Sequence, residues 1–139
     1  MEELLLYFSL KYDGNFDKIF DALKSKETID EKLRSEMFET FYKSSSAKFT
    51  TLVSDNYPAK LKEISCPPFV LYYHGNLSLV DKKSVAVAGS LKPSEYGKKC
   101  TELYADELAK KEDVIITGMQ EGVATIALKQ AMKISDKVI

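Results

Sequence analysis

Apolar residues recur at helical spacing over the first third of the chain, then give way to short β-branched and aromatic runs after residue 48. Leu4, Leu5, Tyr7, Phe8 and Tyr12 form one apolar stripe, which the turn residues "YDGN" (12–15) interrupt. Asn15 suits the N-cap of a second helix carrying Phe16, Ile19, Phe20 and Leu23. Thr28-x-x-Glu31 has the form of a capping box and opens a third, with Leu33, Met37, Phe38, Phe41 and Tyr42 on its apolar face. Aromatics at this spacing read as core rather than as platforms for stacked bases. The pattern predicts a helical module over residues 1–46, whose faces must bury against each other or a neighbour.

The polar stretch 43–48, "KSSSAK", marks a boundary. Beyond it, residues 49–55 predict a strand, and Pro58 suits the first turn of a short helix with Leu61 and Ile64 on one side. Pro67 and Pro68 exclude helix, residues 69–73 predict an aromatic strand, and "NLSLV" a single helical turn. From residue 84 the pattern alternates. Strands are expected at 84–89, 114–117 and from 137. Helices are expected at 94–111, with Tyr96, Cys100, Leu103, Tyr104 and Leu108 inward, and at 122–133, with Ile126, Ala127 and Met132 available for burial. Such alternation predicts an α/β domain over residues 49–139, an incomplete Rossmann-like parallel sheet of three strands with room for one or two of the earlier ones. Both glycine turns, Gly89–Ser94 and Gly118–Gly122, then fall at carboxyl ends of strands, where open α/β sheets bind ligands.

Charge alters this picture little. Lys and Arg total 20 against 21 Asp and Glu, for a net charge of −1, so a nucleic-acid role must rest on a local patch such as Lys92, Lys98 and Lys99. Cys66 and Cys100 are far apart and read as reduced thiols. No apolar run is long enough to span a membrane, and the N-terminus lacks the basic start and cleavage site of a signal peptide, so a cytoplasmic protein is expected.

The chemistry on offer centres on "SVAVAGSLKPS" (84–94). A strand, a glycine turn and a helix start make an anion cradle of backbone N–H groups. Neither G-x-G-x-x-G nor the Walker pattern is present, and a tight turn with Ser94 as N-cap explains the same residues. His74, the single histidine, has no partner spacing that suggests a metal site or a triad. Glu95 and Glu121 lie near the loops and read as helix-start carboxylates. No catalytic residue, metal ligand or cofactor is expected.

Three segments, "NYPAKLKEISCPPFVLYYHGNLSLV", "VAVAGSLKPSEYG" and "VIITGMQEGVATIAL", resemble the DNA-processing protein A (DprA/Smf) family, and the helical N-terminus suits that family's small SAM-like domain. The resemblance implies an extended Rossmann fold that binds single-stranded DNA and helps load a RecA-type recombinase in natural transformation. It also implies a homodimer, no cofactor and no established catalysis. Gly89, Ser90, Ser94, Tyr96 and Gly97 match the family's Gly-Ser-Arg motif and its continuation, and Gly118 and Gly122 match glycines of S-G-x-A-x-G-I-D-x-x-A-H.

The departures are specific. Leu91 stands where the arginine is expected, Gln120 replaces a small residue, and Ala124 and Leu128 replace the aspartate and histidine. Leucine cannot make an arginine's bidentate phosphate contact, and Lys92 offers a point charge one position displaced. The resulting expectation is a divergent, short member whose DNA binding is weakened, with phosphates held by Gly89, Ser90, Lys92, Ser94, Gly97, Gly118 and Gly122. Two alternatives stand beside it: an interaction or scaffold protein with a vestigial pocket, and a nucleotide or phosphoribosyl hydrolase-like enzyme.

Overall fold

The computed structural model describes residues 1–139, which divide into two compact units, Met1–Gly75 and Asn76–Ile139. The division falls after Gly75; the polar stretch 43–48 lies inside the first unit, between the end of a helix and the start of a strand. Its physical cause is the packing of the following strand pair on the N-terminal helix.

In the first unit, α1 (Glu2–Lys11), α2 (Phe16–Lys24) and α3 (Glu31–Ser44) precede the antiparallel pair β1 (Lys48–Thr51) and β2 (Val70–Tyr73), which flanks the short α4 (Ala59–Lys62). The registry pairs Lys48 with Tyr73 and Thr51 with Val70. α1 is buried all round rather than along one stripe: Leu5, Leu6, Tyr7, Phe8 and Ser9 are consecutive and all buried. A helix that is apolar on every side must be enclosed. Tyr7 and Phe8 pack with Ile19 and Ala22 of α2 and with Leu33, Met37 and Phe38 of α3. Leu5 and Leu6 pack with Val70 and Phe49 of the strands. The strand pair therefore covers the side of α1 that the helices leave open.

Local signals account for most helix ends. Asn15 caps α2 by accepting the Lys18 N–H at 3.1 Å. The expected capping box at Thr28 is not used. Asp30 caps α3 instead, its carboxylate accepting the Lys32 and Leu33 N–H groups at 3.0 and 3.1 Å, because the helix begins at Glu31 itself. Tyr42 lies exposed on α3 rather than in the core.

The second unit contains a 3-10 turn (Leu77–Asp81), β3 (Ser84–Ala86), α5 (Glu95–Lys110), β4 (Val114–Ile116) and α6 (Val123–Ala131). β3 and β4 run parallel, with Val85 opposite Ile115. Val138 bridges Ile115 in parallel on the other side of β4, through Ile115 N–H to Lys137 C=O at 3.0 Å and Ile139 N–H to Ile115 C=O at 2.8 Å. β4 is thus central, and its Val114 and Ile115 are fully buried. The earlier strands do not extend this sheet; β1 and β2 form a separate one.

α5 packs differently from expectation. Its buried residues are Ala105 and Ala109, while Tyr96, Leu103 and Tyr104 are 79, 66 and 67% exposed. α6 presents Ala124, Ala127 and Ala131 in turn, and its Met132 points to solvent. Alanines let two helices approach closely, so size rather than hydropathy selects the inner face. Gln130 Nε2 ties α6 to Asp106 of α5 at 2.7 Å.

In the first unit, Glu27 accepts from Lys11 Nζ at 2.5 Å and from Tyr12 OH at 2.6 Å, pinning the α2–α3 connection to α1. Lys11, and then Tyr12, hold the Glu27 carboxyl below its ordinary range. The fold therefore favours the carboxylate, and this stabilisation is present at neutral pH and lost as pH falls through the lowered value. Glu27→Gln is expected to lower the unfolding midpoint of the first unit at pH 7, with the two proteins converging in acid. Urea titrations followed by tyrosine fluorescence across pH 3–7 check it, and a difference that persists unchanged in acid refutes it.

Candidate functional site

The loop after β3 and the loop after β4 meet at the carboxyl ends of two parallel strands. Their contact is made by backbone. The N–H of Val123, the first residue of α6, donates to Ser90 C=O at 3.1 Å. Gly122 precedes it with φ 86° and ψ −134°, a region that side-chain-bearing residues rarely adopt. A Cβ there would lie 2.2 Å from the Ser90 oxygen and 2.5 Å from the Leu91 oxygen. Gly89 is required for a different reason. Its backbone is ordinary, but a Cβ would sit 2.9–3.0 Å from the Val123 side chain. Gly89, Ser90 and Gly122 are therefore brought together as one interlocked turn.

The remaining expected residues are arranged around this lock. Ser90 Oγ accepts the Lys92 N–H at 3.1 Å, which shapes the loop. Ser94 caps α5: its Oγ accepts the Gly97 N–H at 3.2 Å and its carbonyl the Lys98 N–H at 2.9 Å. The N–H groups of Glu95 and Tyr96 in that first turn have no partner within the chain. Glu95 itself pairs with Lys98 at 2.6 Å. Gly97 would meet Pro93 and Ser94 only at ordinary contact distance, and a Cβ at Gly118 would meet nothing within 4 Å, so Gly118 leaves open space at the strand end. Lys92 is exposed and makes no ion pair.

The α6 start is less free than an anion cradle would need. Val123 N–H is taken by Ser90, and Thr125 donates both its N–H, at 3.1 Å, and its hydroxyl, at 2.6 Å, to Gln120 C=O. Free donors lie instead at the first turn of α5, next to Lys92 in sequence. Leu91 is 60% exposed, whereas Ala124 is buried against the body of the unit and Leu128 is half-buried. The replacements thus differ: one puts an apolar side chain on the loop surface, and the other two lie on or beside the packed face of α6.

Three residues of the site escaped the sequence reading. Val123 supplies both the N–H and the side chain that engage the first loop, yet a valine opening a helix carries no local signal. Met119 has φ 57° and stands exposed in the second loop, a left-handed conformation that its residue type does not announce. Thr117, the last residue before Gly118, keeps a buried hydroxyl without a partner. Its place immediately before the glycine was the available clue.

A family model described as DNA recombination-mediator protein A matches residues 48–139. The chain belongs to this family. Its curated relatives include a Protein Smf of Borreliella burgdorferi, 40% identical over 87 residues, covering 63% of this chain and 28% of that protein. The DNA processing protein DprA of Streptococcus pneumoniae is 35% identical over 111 residues, covering 80% of this chain and 37% of that one. This chain therefore spans roughly a third of the length of these relatives. Among solved structures, S. pneumoniae DprA aligns over 99% of this chain and 51% of its own with a TM-score of 0.62 at 26% identity. The DNA processing protein A of Helicobacter pylori, for which a single-stranded DNA binding mode is described, aligns over 66% of this chain and 40% of its own, with a TM-score of 0.56 and 34% identity. The Rossmann-like reading of the second unit is accordingly that of a DprA fold. The family model begins at Lys48, ahead of the point where the compact units divide.

The interlock separates the glycines experimentally. Gly122→Ala is expected to destabilise the second unit by at least about 2 kcal/mol through strain and overlap. Gly118→Ala is expected to be neutral or stabilising by up to about 1 kcal/mol. Hydrogen exchange of residues 84–91 and 114–128 reads both, and equal effects from the two would refute the assignment.

Proposed function

We propose that this DprA-family chain is a single-stranded DNA-binding module in which the first turn of α5, beside the two interlocked loops, presents backbone N–H groups to phosphate. The observation that carries the reading is the pair of unpartnered N–H groups of Glu95 and Tyr96 in the first turn of α5, which follow directly on the loop that carries Lys92. Helix N-terminal N–H groups and an unpaired lysine together attract a phosphate. The resemblance to a family member that binds single-stranded DNA supports the choice of ligand. In this reading Gly89 and Gly122 let the two loops close on each other, Gly118 leaves open space for the ligand at the strand end, and Ser94 and Gly97 hold the first turn of α5 open to it. Leu91 weakens the contact by removing the arginine fork.

The site reads as a binding surface rather than a catalytic one, because the Ser90 and Ser94 hydroxyls are both engaged in capping backbone N–H groups. The resemblance extends the proposal to a RecA-type recombinase as partner, to self-association and to a cytoplasmic setting. No helix is long and apolar enough to cross a membrane.

Fluorescence anisotropy with a labelled single-stranded oligonucleotide at low salt tests the site. Binding is expected to weaken as salt rises. Lys92→Ala should lower affinity and reduce the magnitude of the log–log salt slope by about 0.7, the value for one single-strand phosphate contact. Leu91→Arg should tighten binding by about tenfold, as expected for a regained charged hydrogen-bonded contact. Binding that ignores salt and both substitutions would overturn the site.

A further inference from the structure

A groove runs along α3 in the first unit, between that helix and the end of α1. Leu33, Met37 and Phe41 of α3 recur every four residues along it, and Leu10 of α1 lines it too. All four are half-buried. Beyond Phe41 the groove reaches Tyr72 of β2, whose ring centroid lies 5.7 Å from that of Phe41. Its two stretches hold about 450 and 540 Å³ and meet at Leu10 and Phe41. From Leu33 to Ser45, α3 and its cap rise by about 18 Å, so the groove is a little over three helical turns long.

The polar groups along the groove select its occupant. Every serine and threonine hydroxyl there is already engaged. Thr40 Oγ1 donates to Glu36 C=O at 2.8 Å and Ser44 Oγ to Thr40 C=O at 2.5 Å. Ser45 Oγ accepts the Ala47 N–H at 3.1 Å, and Ser9 Oγ accepts from the Tyr72 hydroxyl at 3.0 Å. A sugar or nucleotide would therefore find little to hydrogen-bond. Two carboxylates remain free. Asp13 and Glu36 are exposed and form no ion pair, although Glu31 and Glu39 of the same helix hold Arg34 and Lys43. Glu36 belongs to the stretch toward the start of α3 and Asp13 to the stretch toward its end, and no lysine or arginine lines either. An apolar channel with unpaired negative charge in both halves complements an apolar stripe flanked by cations.

We propose that this groove docks a basic amphipathic helix of a partner protein. The partner's apolar stripe lies on Leu10, Met37 and Phe41, and its lysines or arginines stand beside Glu36 and Asp13. Three turns of groove match anchors at i, i+3 or i+4, and i+7, the spacing by which a helix fills an apolar channel. Met37, unbranched and flexible, adapts to the side chain set against it. The groove shares no residue with the loops and the helix start proposed to bind DNA, so loss of either property leaves the other in place.

A labelled synthetic peptide of about 14 residues, with leucines at helical spacing and lysines on both flanks of the stripe, tests it against the full chain. Anisotropy is expected to show saturable binding and circular dichroism a gain of helix. Amide shifts should concentrate in residues 9–14 and 33–47. A scrambled peptide of the same composition, which has no stripe, should bind at least about tenfold more weakly. Thr40→Arg, which puts bulk and positive charge into the groove from an exposed position, should abolish binding. Asp13→Asn/Glu36→Gln should weaken it about tenfold, yet leave a peptide with glutamine in place of lysine unaffected. Asparagine suits the left-handed backbone at residue 13, and circular dichroism verifies that each variant stays folded. Glu102→Lys, an exposed charge reversal in the second unit, should bind like wild type. A peptide that stays free at millimolar chain, a scrambled peptide that binds equally well, or a Glu102→Lys loss as large as that of the groove variants would each overturn the proposal.

Discussion

The close approach of Gly122 to the carbonyls of Ser90 and Leu91 is the constraint on which the second unit depends. It requires a backbone conformation that only glycine adopts readily, and it leaves no room for a Cβ. From it follow the Val123 N–H donation to Ser90, the seating of Val123 on Gly89 and the direction in which α6 leaves β4. The two loops are consequently joined as one turn at the strand ends. The same lock consumes donors at the start of α6, so the free ones are those of α5.

Helix packing beneath the loops obeys a size rule. Ala105 and Ala109 face Ala124, Ala127 and Ala131. Tyr96, Leu103 and Tyr104 of α5 are thereby turned outward, although their spacing alone made them the natural core, while Leu108 packs inward as expected. Ala124 and Leu128, the positions where the family pattern carries a charge and a histidine, belong to this packed helix, so their replacement by apolar residues is compatible with the fold. Leu91 stands apart, because its exposed side chain gains nothing from burial. It lies on the surface of the loop after β3.

The first unit has its own organising element. α1 is enclosed by two helices and a strand pair, and its polar groups are matched: Ser9 accepts from Tyr72 OH at 3.0 Å, and Glu2 accepts from Ser54 Oγ at 2.5 Å. Ser54 also accepts the Thr51 N–H at 3.1 Å, so the tight turn after β1 is tied to the first residues of the chain. Residues 49–75 carry part of the family pattern yet are structurally bound to the helices that precede them.

Periodicity and turn chemistry in the sequence determined the element types, their order, the Asn15 and Ser94 caps and the placing of both glycine loops at strand ends. These are local properties, set within a few residues by propensity and capping. The family was legible for a related reason, since its glycine and proline positions answer to backbone constraints that survive side-chain replacement. Tertiary structure alone decided which face of α5 is buried, which glycine is indispensable and that β1 and β2 form a sheet of their own. Each of these depends on what lies opposite in space: alanines of α6, two carbonyls of a distant loop, and the open side of α1. Amphipathic spacing names an apolar face, but only the size and nearness of its neighbours decide whether that face turns inward.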